Sequence, residues 1–72
     1  MNIKDLRYIA ALAETRHFGR AAQACHVSQP TLSSQVRKLE DELGTVLFER
    51  STRGVEMTAA GTAVVREAHA AL

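Results

Sequence analysis

One stretch of the sequence concentrates side chains suited to specific polar recognition. Ser28-Gln29-Pro30-Thr31 is followed by Ser33, Ser34 and Gln35, and then by Arg37 and Lys38. Hydroxyls and amides of this kind hydrogen-bond base edges or phosphate oxygens. Arg37 and Lys38 supply positive charge for a phosphate backbone. A second basic set, Arg50 and Arg53, flanks Ser51 and Thr52 just before Gly54. An arginine on a thin turn can reach a phosphate or the negative potential of a narrow minor groove. Arg53 is the expected groove residue, while Arg50 is equally suited to a phosphate or to the protein itself. The plainer alternatives are a solvated helix face and neighbour pairs of Arg50 with Glu49 and of Arg53 with Glu56.

Catalytic and metal chemistry find less material. One cysteine and three scattered histidines lack zinc-site spacing. Cys25 falls on the apolar side of a short helix and reads as a small core residue; a reactive thiol needs exposure and a lowered pKa. Cys25 and His26 are adjacent and do not converge on one ion. His17 reads as a connector and His69 as a surface residue. No nucleophile–base set or phosphate-binding loop is present, so no enzyme, metal or cofactor is expected.

These side chains need elements to hold them. The strongest helix signal covers residues 29–43. Ser28 is placed to cap it, Pro30 fits its first turn, and Gly44 follows as its C-cap. Leu32, Val36, Leu39 and Leu43 form its core stripe, within about 40° of Leu32 on a helical wheel. The far side carries Pro30, Ser34, Arg37, Lys38 and Asp41, with Thr31 and Ser33 on the flanks. Charge is segregated along this helix. Glu40, Asp41 and Glu42 lie at its C-terminal end, and its first two turns hold no acid. The positive end of the helix dipole is thereby left clear for an anion.

A shorter helix, Phe18 to Cys25, precedes it, with Ala21 and Ala22 allowing close packing. Two helices joined by the short turn His26-Val27-Ser28 have a helix-turn-helix shape. Upstream, a first helix capped by Asn2 places Ile3, Leu6, Ile9, Ala10 and Ala13 on one face, with Lys4, Arg7 and Tyr8 opposite. Downstream, Val46 to Arg50 and Val55 to Met57 flank a polar turn and predict a small β-hairpin. A last helix, capped by Thr58, runs to Leu72. No Gly or Pro follows it, so it is expected to be the start of a longer helix. Val64, Val65, Ala68, Ala71 and Leu72 span an arc of roughly 120° on it. Part of that arc covers the domain's own core, and Val64, Val65, Ala68 and Leu72 are the expected surface for a partner helix.

Size and composition bound the rest. A chain of 72 residues is a single small domain that buries only about 60% of its unfolded surface. Hydrophobic residues make up 46%, as in ordinary globular proteins, and nine Lys/Arg against eight Asp/Glu give a net charge of +1. That balance excludes no partner, since what matters is how charge is distributed. No apolar run approaches the roughly 18 residues of a membrane span, and the N-terminus lacks signal-peptide character. A single cysteine cannot form an internal disulfide. The expectation is a cytoplasmic protein.

The ordered motifs resemble a known family. Leu6-Arg7-Tyr8, His17-Phe18-Gly19-Arg20-Ala21-Ala22, Val27-Ser28-Gln29-Pro30-Thr31-Leu32-Ser33, Leu39-Glu40-Asp41-Glu42-Leu43-Gly44, Leu47-Phe48-Glu49-Arg50 and Thr58-Ala59-Ala60-Gly61 are similar to the N-terminal domain of LysR-type transcriptional regulators. The likeness covers the whole sequence. Cys25 to Ser33 is most similar to the hydrogen-peroxide-responsive OxyR branch of that family, which belongs to the oxidative stress response. The resemblance implies a mostly α fold, a winged helix-turn-helix over residues 1–57, followed by the start of a linker and dimerisation helix over 58–72. It implies binding of double-stranded operator DNA at an inverted repeat, as a homodimer, with tetramers in the full-length protein. RNA polymerase is a further partner open to a full-length member, and the nucleoid is the expected location. Gln29, Pro30, Thr31, Ser33 and Ser34 then sit at or near the major groove, Arg37 and Lys38 touch backbone, and Arg53 belongs to the wing. Full-length members continue into an effector domain of periplasmic-binding-protein type. The peroxide-reactive cysteines of the OxyR branch belong there, so Cys25 is not their counterpart.

Two other classes compete with DNA binding. A protein-interaction module would use the Ala-rich last helix, but it gives no reason for the acid-free, hydroxyl-rich start of the third. Steep weakening with salt separates the two. An enzyme would need a pocket that a core this small hardly provides.

Overall fold

Each helix begins at a side chain that satisfies its own first turn. The computed structural model describes residues 1–72. Helix α1 spans Ile3–Thr15, and Asn2 forms a full capping box with Asp5 at its start. Helix α2, Phe18–Ala24, is capped by His17, whose Nδ1 accepts the Arg20 amide at 3.1 Å. Helix α3, Gln29–Leu43, is capped by the Ser28 hydroxyl and ends on Gly44, which is left-handed at φ 70°. Strands β1, Phe48–Ser51, and β2, Gly54–Met57, form an antiparallel hairpin in which Phe48 pairs with Met57 and Arg50 with Val55. Helix α4, Ala59–Ala71, starts at Thr58. The bounds of α3 and the expected caps Asn2, Ser28, Gly44 and Thr58 all agree with the sequence reading.

The turn between α2 and α3 is built without glycine. His26 takes a left-handed φ of 58°, and Val27 returns its amide to the Ala22 carbonyl at 3.0 Å. That geometry lets α3 leave at an angle while Ala21 and Ala22 stay buried between the helices. The seven residues of α2 are too few for an independent helix, so tertiary packing holds it.

The core joins Tyr8, Ile9 and Leu12 of α1 to Leu32, Val36 and Leu39 of α3, with Leu47, Phe48, Val55 and Val65 closing it. Helix α1 packs against α2, α3 and α4. Its buried face therefore differs from the expected one. Tyr8 is buried and Ile3 is 62% exposed, a rotation of about 100°, or one residue. Three neighbours demand a wide apolar arc, and Tyr8 supplies part of it, while Ile3 sits past the end of the core. Leu43, expected in the α3 stripe, is likewise 44% exposed beyond its last buried turn.

The last helix also needs correction. Val65 and Ala68, expected on a partner surface, are buried within the chain itself. Val64 is half-buried against the core. Of the four, only Leu72 stands largely free, at 56% exposure. Helix α4 approaches the chain before the hairpin so closely that a Cβ on Gly61 would lie 2.0 Å from the Leu47 carbonyl oxygen. Around this contact, the Thr58 amide donates to the Leu47 carbonyl at 3.0 Å and the Thr58 hydroxyl to the Val46 carbonyl at 2.7 Å. The Thr58-Ala59-Ala60-Gly61 motif is thus the joint that docks α4. The whole is a mostly helical winged helix-turn-helix, three core helices with a β-hairpin wing and a fourth helix across α1. No helix is long and apolar enough to cross a membrane.

Candidate nucleic-acid interface

The exposed side of α3 begins at its capped end. Gln29, Pro30, Thr31 and Ser34 are all exposed, as are Arg37 and Lys38, while Leu32, Val36 and Leu39 face inward. The first turn of the helix contains no acid. Pro30 carries no amide N–H there and Ser28 takes the Thr31 amide, so an unopposed dipole and a run of short polar side chains, rather than free amides, make this a surface that accepts anions and hydrogen-bonds bases.

The individual positions differ in how free they are. Ser28 Oγ accepts the Thr31 amide at 3.2 Å and donates to Thr31 Oγ1 at 2.8 Å. The Thr31 hydroxyl is therefore held by the cap, and its own hydrogen points elsewhere. Gln29 lies at the junction with α2, its Oε1 3.5 Å from where a Cβ on Gly19 would be. Ser34 is exposed at the middle of the outward arc. Ser33 is only half-buried but already accepts from Arg50.

The two basic residues of α3 lie on opposite flanks. Arg37 lines a cleft with Phe18, Ser33, Ser34 and Arg50, on the hairpin side. Lys38 lines a different cleft, with Asn2, Asp5, Gln35 and Glu42, on the side of α1. Arg37 and Ser34 thus stand together beside the wing, and Lys38 stands with the start of α1.

The wing separates the two arginines expected at its tip. Thr52 and Arg53 make the turn, and the turn closes without a positive φ at either, because Gly54 takes φ 110°. Arg53 is exposed, and its amide donates to Ser51 Oγ at 3.2 Å. Arg50 is not at the tip. It belongs to β1 and turns back onto the protein, its guanidinium carbon 3.9 Å from the Phe18 ring centroid and Nη2 3.3 Å from Ser33 Oγ. The tip end of the wing is anchored too, with the Val55 amide donating to the Arg16 carbonyl at 3.4 Å.

Sequence reasoning missed one organising residue. Glu40 does not simply add to an acidic helix end. Its carboxylate accepts the amides of Leu47 at 2.6 Å and Phe48 at 3.1 Å, and so fixes where the wing leaves the core. The available signal was its wheel position, about 80° from Leu32, at the edge of the buried stripe. Cys25 is half-buried, with its thiol 3.8 Å from the Arg7 carbonyl. Burial pushes this thiol above its ordinary pKa, against a smaller lowering by Arg7. Among the described residues, no three His, Cys, Asp or Glu side chains come together as a metal site.

Comparison with known proteins gives a consistent answer. Residues 3–62 match the family described as bacterial regulatory helix-turn-helix protein, lysR family. The chain is 62% identical, over its full length, to the hydrogen peroxide-inducible genes activator of Pectobacterium carotovorum and to the DNA-binding transcriptional dual regulator OxyR of Escherichia coli K12. It spans 24% of the length of each. Among solved structures, full-length OxyR C199D from Pseudomonas aeruginosa superposes with a TM-score of 0.92 at 55% identity, over 99% of this chain and 24% of that one. The CbnR DNA-binding domain in its DNA complex gives a TM-score of 0.90 at 46% identity, over 97% of this chain and 80% of that one.

Proposed function

The chain belongs to the LysR family of bacterial regulatory helix-turn-helix proteins, and from that premise we propose that it is the sequence-reading part of a transcription regulator of the OxyR type. It binds double-stranded DNA without catalysis, in the cytoplasm. Helix α3 enters the major groove by its N-terminal half. Gln29, Pro30, Thr31 and Ser34 face base edges, and Arg37 and Lys38 face the phosphates on either side. Arg53 reaches the minor groove or the backbone from the wing tip. The observation that carries this reading is the exposed, acid-free start of α3, whose buried side is fully spent on the core.

Self-association extends the reading. A shallow apolar groove runs between α1, the α2–α3 turn and the end of α4, lined by Ile3, Ala11, Val27 and Leu72 among others. With Val65 and Ala68 committed inward, Ile3 and Leu72 are the large exposed apolar side chains that this groove offers a second copy. Two copies related by a two-fold axis would read an inverted repeat. The segment 58–72 is then both a layer of the domain and the start of the pairing helix. In the whole protein, peroxide-responsive gene control, tetramer formation and contact with RNA polymerase are part of the same proposal.

A selection from randomised duplexes, followed by anisotropy titrations at several salt concentrations, tests it. The expected result is an enriched inverted repeat, bound with a steep salt slope and a clear margin over random DNA. Gln29→Ala should lose about 1–3 kcal/mol of that margin with little loss on random DNA. Salt-insensitive binding, or equal losses on both duplexes, would reject the base-reading role of α3.

A further inference from the structure

Arg50 occupies an unusual place for a charge. By strand alternation it shares the inner face of the hairpin with Phe48, opposite Val55 and Met57. Its side chain is exposed, but the guanidinium folds back onto the protein surface. It lies 3.9 Å above the Phe18 ring centroid, and its Nη2 donates to Ser33 Oγ at 3.3 Å. Phe18 opens α2, and Ser33 stands on the hairpin flank of α3. Wing, second helix and third helix therefore meet on one side chain.

We propose that Arg50 is a positioning residue: it sets the distance and angle of the wing against α3, so that the bases read by α3 stay in register with the flank touched by Arg53. The proposal rests on the DNA-binding reading above and deepens it. The chemistry requires arginine. A planar guanidinium stacks flat on a ring while its edge N–H groups donate in the same plane, and a lysine ammonium cannot do both. A phosphate contact makes no such demand, because lysine serves phosphate as a point charge. The wing is held at three places: its base by Glu40 of α3, its tip end by the Arg16 carbonyl and its inner face by Arg50. Of these, only Arg50 joins the wing to α2 and α3 at once.

The test titrates the selected duplex and a random duplex across salt, with Arg50→Lys, Arg50→Ala, Ser33→Ala, Phe18→Leu, Phe18→Tyr and the doubles of Arg50→Lys with Ser33→Ala and with Phe18→Leu. Arg50→Lys should lower the preference for the selected duplex about five- to tenfold, as expected for a cation–π contact and one hydrogen bond acting together. Its affinity for random DNA and its salt slope should not change. Each double with Ser33→Ala or Phe18→Leu should be no worse than Arg50→Lys alone, and Phe18→Tyr, which keeps the ring, should retain the preference. Circular dichroism checks that each variant folds. If Phe18→Leu does not, the Arg50–Ser33 pair alone decides. Full preference in Arg50→Lys, additive losses in the doubles, or an Arg50→Ala salt slope reduced by about 0.9 would overturn the proposal, the last by making Arg50 an ordinary phosphate contact. Wild-type protein that shows no preference would instead remove the DNA reading itself, and this proposal with it.

Discussion

Replacing Gly61 by alanine sets two well-understood effects against each other. In a free helix the change would stabilise by up to about 1 kcal/mol. Here the added Cβ would meet the Leu47 carbonyl oxygen at 2.0 Å, the Leu47 carbonyl carbon at 2.9 Å and its Cα at 3.2 Å. Ordinary contact begins at 3.4 Å, so 3.4 − 2.0 = 1.4 Å of separation must be found. Backbone is met on both sides, and Leu47 is fully buried, so no side chain can swing aside. Moving α4 outward stretches the 3.0 Å bond from the Thr58 amide and the 2.7 Å bond from its hydroxyl. Overpacking costs about 1–3 kcal/mol and each weakened hydrogen bond about 0.5–1.5. After the helix gain, the net loss is about 1–5 kcal/mol. A 72-residue domain has roughly 4–11 kcal/mol in total, at about 0.05–0.15 per residue. With a urea slope of about 1 kcal/mol/M, the midpoint should fall by about 1–5 M at unchanged slope. Gly19→Ala is the control, because its Cβ meets only side chains, the His17 ring at 3.0 Å and Gln29 Oε1 at 3.5 Å, rather than backbone. A Gly61→Ala midpoint equal to or above wild type would refute the argument that this joint is sterically closed.

Other perturbations separate the roles of individual side chains. Glu40→Ala strands the Leu47 and Phe48 amides and should cost about 2–3 kcal/mol, with Glu40→Gln losing less because its amide oxygen still accepts; urea titration measures both. Arg53→Ala should leave the melting temperature unchanged, since its side chain is exposed, and on the proposed wing contact should reduce the salt slope of DNA binding by about 0.9. Cys25 has its pKa raised from the ordinary 9.0, so the folded thiol should react with disulfide reagents more slowly than the urea-unfolded one at neutral pH. The same shift carries a sign for stability. The contribution is fully present below pH 9.0 and is lost as the pH rises through the higher folded value, so a Cys25→Ala variant should show less alkaline destabilisation than wild type.

What the sequence made legible was local chemistry. Helix α3 was readable residue by residue because Ser28, Pro30 and Gly44 mark its ends through side-chain and dihedral preferences that act over a few residues. The hairpin followed from Val55, Phe48 and Gly54 for the same reason. The failures share a different cause. Tyr8 against Ile3 on α1, Leu43 on α3, and Val65 and Ala68 on α4 are questions of which arc meets a neighbour. Periodicity fixes that arc only to within about one residue's rotation when a helix has three neighbours. Glu40 was read only as one of three acids at a helix end, and Arg50 was left open between a phosphate and the protein itself. Both are engaged by the fold, one by two amides and one by a ring and a hydroxyl, and no pattern in the chain announces such partners 7 to 32 positions away. Within the interface, the outward arc of α3 was legible as a set, whereas the split of Arg37 and Lys38 onto two flanks was not.

The contact between α1 and α4 has a consequence for the order of assembly. The other main pairings join neighbours along the chain: α1 with α2, α2 with α3, β1 with β2. Such local pairings form quickly, in microseconds to milliseconds for helical units. Docking α4 on α1 instead closes a loop of more than forty residues, an entropic cost that local contacts do not bear. The three-helix unit is therefore expected to condense first and to form the folding nucleus, with α4 seating last on the ledge made by Leu47. Folding speed then belongs to α1–α3, and the lifetime of the native state belongs to α4. Bringing two copies together through the end of α4 would slow unfolding far more than it speeds folding.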